Sequence, residues 1–152
     1  MIVIIIICIV LSALFSSSET AFASVNKIRL KSMADQGDKR ALKALHIAEH
    51  YEDSLTAILV GNNIVNIGAS SLATVVFTQW VGSAGPAVST VAMTILVLIF
   101  GEVLPKSYAK SHAEKLALSV ASALSAFTII MTPFVKIFDL LSRALKPKTE
   151  AP

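Results

Sequence analysis

Three stretches of the chain carry no Asp, Glu, Lys or Arg: residues 1–18, 54–101 and 116–135. A helix that crosses a bilayer needs about 20 mainly apolar residues. The first stretch runs on through Ala21-Phe22-Ala23 to Val25, interrupted only by Glu19. The second is long enough for two spans joined at Gly82-Ser83-Ala84-Gly85-Pro86. Three spanning helices are therefore predicted, over residues 2–25, 54–78 and 86–108. The third stretch repeats Ser119, Ser122, Ser125 and Thr128 at every third position. Such a polar stripe suits a packed or interfacial helix better than a lipid-facing span. Residues 112–145 are accordingly read as a juxtamembrane helical segment kinked near Pro133. Between the first two spans, residues 27–53 alternate apolar and charged positions around a break at Gly37. That alternation predicts a pair of amphipathic helices.

The expected fold class is thus an all-α integral membrane domain over residues 1–146, with three transmembrane helices plus amphipathic juxtamembrane helices. Composition agrees: 55% of the residues are hydrophobic and 15% charged, against about 25% charged in soluble domains. Charge placement adds an orientation. All 13 Lys and Arg follow Val25, six between Lys27 and Lys43 and seven between Lys106 and Lys148. Basic residues stay on the cytoplasmic side, so the N-terminus is expected outside and the C-terminus inside. A fourth crossing at 116–135 would place Lys136, Arg143, Lys146 and Lys148 outside, against that rule. The Ala-Phe-Ala sequence imitates a signal-peptide cleavage site, but no basic residue precedes the apolar run, so an uncleaved span is expected. Cys8 is the sole cysteine and excludes an internal disulfide framework. Residues 147–152 have linker composition.

Polar residues within apolar helices are where function is sought, since lipid penalises them. Ser12 and Ser16 lie four apart on one face of the first span, with Glu19 three further and Ser17 beside them. Asn62 and Asn66 share a face of the second, with Asn63 between them. In the third, Gly101-Glu102-Val103-Leu104-Pro105-Lys106 sets a carboxylate between a glycine and a proline that weaken the helix. Every one of these donors is a hard oxygen, which suits Mg²⁺, Ca²⁺ or Na⁺ rather than zinc or copper. Two blander roles compete: interhelical hydrogen bonds worth about 0.6 kcal/mol each, and a structural pair between Glu102 and Lys106. His46-Ile47-Ala48-Glu49-His50 also matches the H-x-x-E-H pattern of inverted zinc peptidases, without an evident third ligand.

The runs Leu11–Ala21, Gly61–Asn66 and Gly101–Lys106, in that order and spacing, resemble the signatures of the CorC/cyclin-M family of Mg²⁺ transporters. The resemblance covers residues 2–106. It implies a homodimer in the lipid bilayer of the cell membrane, with Mg²⁺ as the transported ion and Na⁺ as the proposed coupling ion. It also implies a ligand set of Ser12, Ser16, Asn62, Asn66, Gly101 and Glu102, with Ser17, Glu19, Asn63 and Lys106 as an outer set. Mg²⁺ export coupled to Na⁺ influx is the activity it suggests, with neither an enzyme reaction nor a nucleic-acid partner. A membrane anchor that senses Mg²⁺ without moving it is the alternative. Relatives of this kind continue into a cytosolic pair of CBS modules, which this sequence does not contain.

Overall fold

Ile and Val dominate the first helix, α1 (Ile2–Ser24). Such β-branched residues disfavour helix in water, but in lipid only a helix satisfies the backbone of a single segment. The computed structural model describes residues 1–145, so the suggested linker at 147–152 lies outside the described residues. Asn26 caps the next helix, α2 (Lys27–Asp35), its Oδ1 accepting from the N–H groups of Ile28 and Arg29. Gly37 turns the chain at φ 96°, a conformation that costs other residues a Cβ clash. Asp38 then caps α3 (Lys39–Glu49) in the same way, through the N–H groups of Arg40 and Ala41. The break expected at Gly37 is therefore built from a glycine and a cap.

The fourth helix, α4 (Tyr51–Val81), begins directly after α3 and carries Glu52 and Asp53 in its first turn, where acidic groups favour the helix dipole. Gly82, at φ 72°, ends it. A 3₁₀ turn over Gly82–Ala84 leads to α5 (Gly85–Leu96), with Pro86 in its first turn. The helix continues through a widened π segment, Val97–Val103, into α6 (Leu104–Ser111). Last come α7 (Ala113–Ile130) and α8 (Thr132–Leu145), separated at Met131, two residues before Pro133. Pro133 has no N–H to donate and sits in the first turn of α8, where none is needed.

By length and composition, α1, the Tyr51–Ser111 stretch that folds back at Gly82, and α7 can each cross a membrane. The Tyr51–Ser111 stretch holds two antiparallel helical legs, α4 and the run from Gly85 to Ser111. The helix α7 packs against α3 and against α1 and α4, and Lys43 of α3 donates to Ser122 Oγ at 3.3 Å. α1 is the central helix, touching α4, the π segment, α6 and α7.

Three apolar clusters hold these helices together, the smallest joining Ala57 of α4 to Met131 and Val135 at the α7–α8 junction. At the basic end, Phe22, Leu30, Ile47, Ile58 and Leu124 form one core. At the other end, Ala69, Ala73 and Met93 pack with Ile5, Cys8 and Ile9. The polar residues of α1 fall between these last two clusters.

Candidate metal centre

Ser12 and Ser16 point into the helix bundle and are completely buried. A serine in a membrane helix usually returns its hydroxyl to the carbonyl four residues back, as Ser18 does to Leu14 at 2.7 Å. Ser12 instead donates across to Asn62 Oδ1 of α4 at 2.9 Å. Asn66 Nδ2, one turn along α4, reaches the same oxygen at 3.4 Å. The third helix meets this pair at Gly101. A Cβ placed there would lie 2.8 Å from Ser12 Oγ, so only glycine lets the π segment approach so closely. The π geometry itself breaks the regular i→i−4 ladder, a feature that recurs at functional sites.

Among the described residues, two oxygens of these motifs have no partner. Ser16 Oγ and Asn66 Oδ1 are both buried and accept no hydrogen bond. A buried polar atom left unsatisfied costs about 1–3 kcal/mol, and such atoms mark places where water or an ion is missing from the account. The donors gathered here are hydroxyls, amide oxygens and backbone, the set that hard cations prefer.

The fold brings together Ser12, Asn62, Asn66 and Gly101, with Ser16 one turn from Ser12. Glu102 is adjacent in sequence but differently engaged: its carboxylate pairs with Lys106 Nζ at 3.3 Å, and both side chains are part-exposed. Ser17 leans on the Pro105 carbonyl at 3.5 Å. Glu19 is half-buried, and its carbonyl accepts from the Tyr51 hydroxyl at 2.7 Å. Asn63 faces outward, away from the cluster. The His46 and His50 rings meet at a tilt of 42°, their centroids 4.5 Å apart. His50 Nδ1 lies 3.0 Å from the His46 carbonyl. Among the described residues no three His, Cys, Asp or Glu side chains gather as a metal site. The H-x-x-E-H motif therefore has no third ligand there.

Comparison with known proteins decides the family. Residues 3–150 match the cyclin M transmembrane N-terminal domain. The chain belongs to this family.

Curated relatives agree. It is 41% identical over 94% of its length to a UPF0053 protein of Haemophilus influenzae, of which the match covers 34%. It is 39% identical over 89% of its length to the UPF0053 inner membrane protein YfjD of Escherichia coli, of which 32% is covered. A polyamine export protein of Haemophilus influenzae is 29% identical over 86% of the chain and covered over 33% of its own length. The chain thus spans about a third of the length of these relatives. An apolar, helical, membrane-integral chain is what such a domain requires.

Two features of this cyclin M domain escape the reading of its sequence. One is the π segment; Gly101 and Pro105 signal a weak helix, not the direction in which it yields. The other is a polar network between α4 and α5, in which Thr74 Oγ1 reaches the Ser70 carbonyl at 3.0 Å and Ser89 Oγ at 3.2 Å. Its signal was present: Asn62, Asn66, Ser70 and Thr74 recur at four-residue intervals.

Proposed function

We propose that this domain is the core of a Mg²⁺ exporter, in which the ion passes between α1, α4 and the helix from Gly85 to Ser111. The observation that carries the reading is the pair of buried, unpartnered oxygens, Ser16 Oγ and Asn66 Oδ1, beside the Ser12–Asn62 bond and the Gly101 backbone. A cation bound there removes both penalties and gives Asn62 Oδ1 a stronger partner than two neutral donors. Glu102 supplies the charge by exchanging Lys106 for the ion. One carboxylate against a divalent ion means weak binding, and weak binding permits release. Inward movement of Na⁺ drives the cycle.

The same reading places the N-terminus outside and the basic end in the cytoplasm, because Lys and Arg remain inside. With that orientation α7 packs alongside the inner half of α1 without crossing the bilayer. Two copies assemble as a homodimer, and the full-length protein adds a CBS-domain pair on the cytosolic side.

The test is thermal stability of the purified protein in detergent against Mg²⁺. A ligand that binds only the folded state adds about 2.7 kcal/mol at a hundredfold excess over Kd. Saturable stabilisation by Mg²⁺, lost in Asn66→Ala and in Glu102→Gln, is the expected result. Undiminished stabilisation in both variants would move the ion elsewhere. A relative named as a polyamine exporter favours one second reading, an organic polycation as cargo. Stabilisation by spermidine in place of Mg²⁺ would establish it. Flux in proteoliposomes then separates a transporter from an anchor that only senses the ion.

A further inference from the structure

Glu102 is the only acidic residue between Ser54 and Ala113, and its carboxylate already has a partner. Lys106, one turn along the same helix, places Nζ 3.3 Å from its Oε2. The backbone beneath this pair is pinned to α1 at two points. Gly101 lies so close that a Cβ there would meet Ser12 Oγ at 2.8 Å, and the Pro105 carbonyl accepts from Ser17 at 3.5 Å. Glu102 therefore starts one residue, about 3.8 Å between Cα atoms, from the point where the third helix touches the polar cluster. Its side chain and that of Lys106 are part-exposed, the lysine more so. Opening the pair is thus a side-chain motion that leaves the helix contacts in place.

An ammonium has three donors and no lone pair, so Lys106 cannot ligate a cation. Beside the carboxylate that would hold one, it opposes binding both by its charge and by its occupancy. We propose that Lys106 is a tethered competitor of the transported cation: it neutralises Glu102 when the site is empty and yields the carboxylate when the ion arrives. This role rests on the cation site proposed above. The released ammonium has somewhere to go. Lys106 lies on the basic-end side of Glu102, with exposed Lys110 a turn beyond, and a lysine stem extends readily to water along an apolar surface. Val103 and Leu104, between the pair, supply such a surface, each more than half exposed. The exchange also has a return leg. When the ion leaves, the ammonium takes its place, so the carboxylate does not stand unpaired at bilayer depth, where charge is costly. Weak binding is then a property of Lys106 as well as of a single carboxylate.

Isothermal titration of the whole purified chain with Mg²⁺ reads the affinity, and the melting temperature without Mg²⁺ reads the fold. Lys106→Gln is expected to tighten Mg²⁺ binding about two- to fivefold, the range spanned by a part-exposed ion pair. Lys106→Arg should weaken it, because a guanidinium grips a carboxylate through two bonds. Lys110→Gln removes the same charge one turn further on and should leave the affinity unchanged. A lysine that only braces the helix would lower the melting temperature in Lys106→Gln and leave the affinity as it was, and that result overturns the proposal. Weaker binding in Lys106→Gln, or equal tightening in Lys110→Gln, overturns it as well. Should Lys106→Gln fail to fold, undiminished affinity in Lys106→Arg decides against it. Absence of Mg²⁺ binding in the wild-type chain would instead remove the cation site itself, and this role with it.

Discussion

Ser16 illustrates how a single hydroxyl separates stability from function. Its oxygen is fully buried and unpartnered, so the folded protein carries a desolvation cost of about 1–3 kcal/mol there without a ligand. Ser16→Ala is therefore expected to leave the Mg²⁺-free protein as stable as before, or more stable by about 1 kcal/mol, while abolishing the Mg²⁺-dependent rise in melting temperature. A drop in Mg²⁺-free stability would show that the hydroxyl already has a partner. The candidate residues were legible in the sequence because four-residue spacing puts Ser12 with Ser16, and Asn62 with Asn66, on common faces. Spacing does not say which oxygens stay free, since that depends on what the facing helix offers. Nor does it separate Asn62 from Asn63, whose side chains diverge by one residue's rotation. The Glu102–Lys106 pair was legible for the opposite reason, because i,i+4 contacts are local.

Helix existence followed from apolar length and the breaks at Gly37 and Gly82 from turn chemistry, whereas the caps at Asn26 and Asp38 emerge from the structure. Interruptions inside a helix were harder to foresee. The junction of Gly101 with Ser12 is a tertiary contact, and it is exacting. Gly101→Ala would drive a methyl group to 2.8 Å from Ser12 Oγ, displacing the hydroxyl from Asn62. Such overpacking costs about 1–3 kcal/mol, and thermal denaturation should register it together with a weakened response to Mg²⁺. Gly68→Ala is the matched control. Its Cβ would meet nothing within 4 Å, so stability should hold or rise slightly, as replacing a helical glycine does. Equal effects at the two positions would deny Gly101 its special role. The helix α7 shows the other limit of sequence reading. Its length and apolarity permit a crossing, whereas its polar stripe and the basic residues beyond it argue against one.

Across the whole molecule, the central helix α1 runs past the apolar clusters of Phe22 and of Ala69 and Met93, with the polar cluster between them and α7 alongside. The proposed orientation rests on the basic residues and has a direct test. In a Cys8→Ser background, Gln79→Cys should react with a membrane-impermeant maleimide on intact cells, whereas Lys110→Cys should react only after permeabilisation. The reverse labelling would overturn the proposed orientation. Because the chain covers only a third of its curated relatives, activity of the isolated domain and of the full-length protein are separate measurements.

The π segment has one more effect, on phase. Along the third helix the inward positions are Gly85, Ser89, Met93, Val97, Gly101, Pro105 and Ala109, a strict every-fourth-residue row. In a uniform α-helix each residue turns about 100°, so a step of four overshoots by about 40° and the row would spiral steadily around the axis. A segment with i→i+5 bonding holds more residues per turn and rotates the row back. It acts as a clock correction halfway along. The upper half keeps Ser89 and Met93 against α4, and the lower half still delivers Gly101 and Pro105 to α1. Removing one residue from Leu98–Phe100 would restore a uniform helix and, because the π segment accommodates one extra residue, leave that lower half still facing α1.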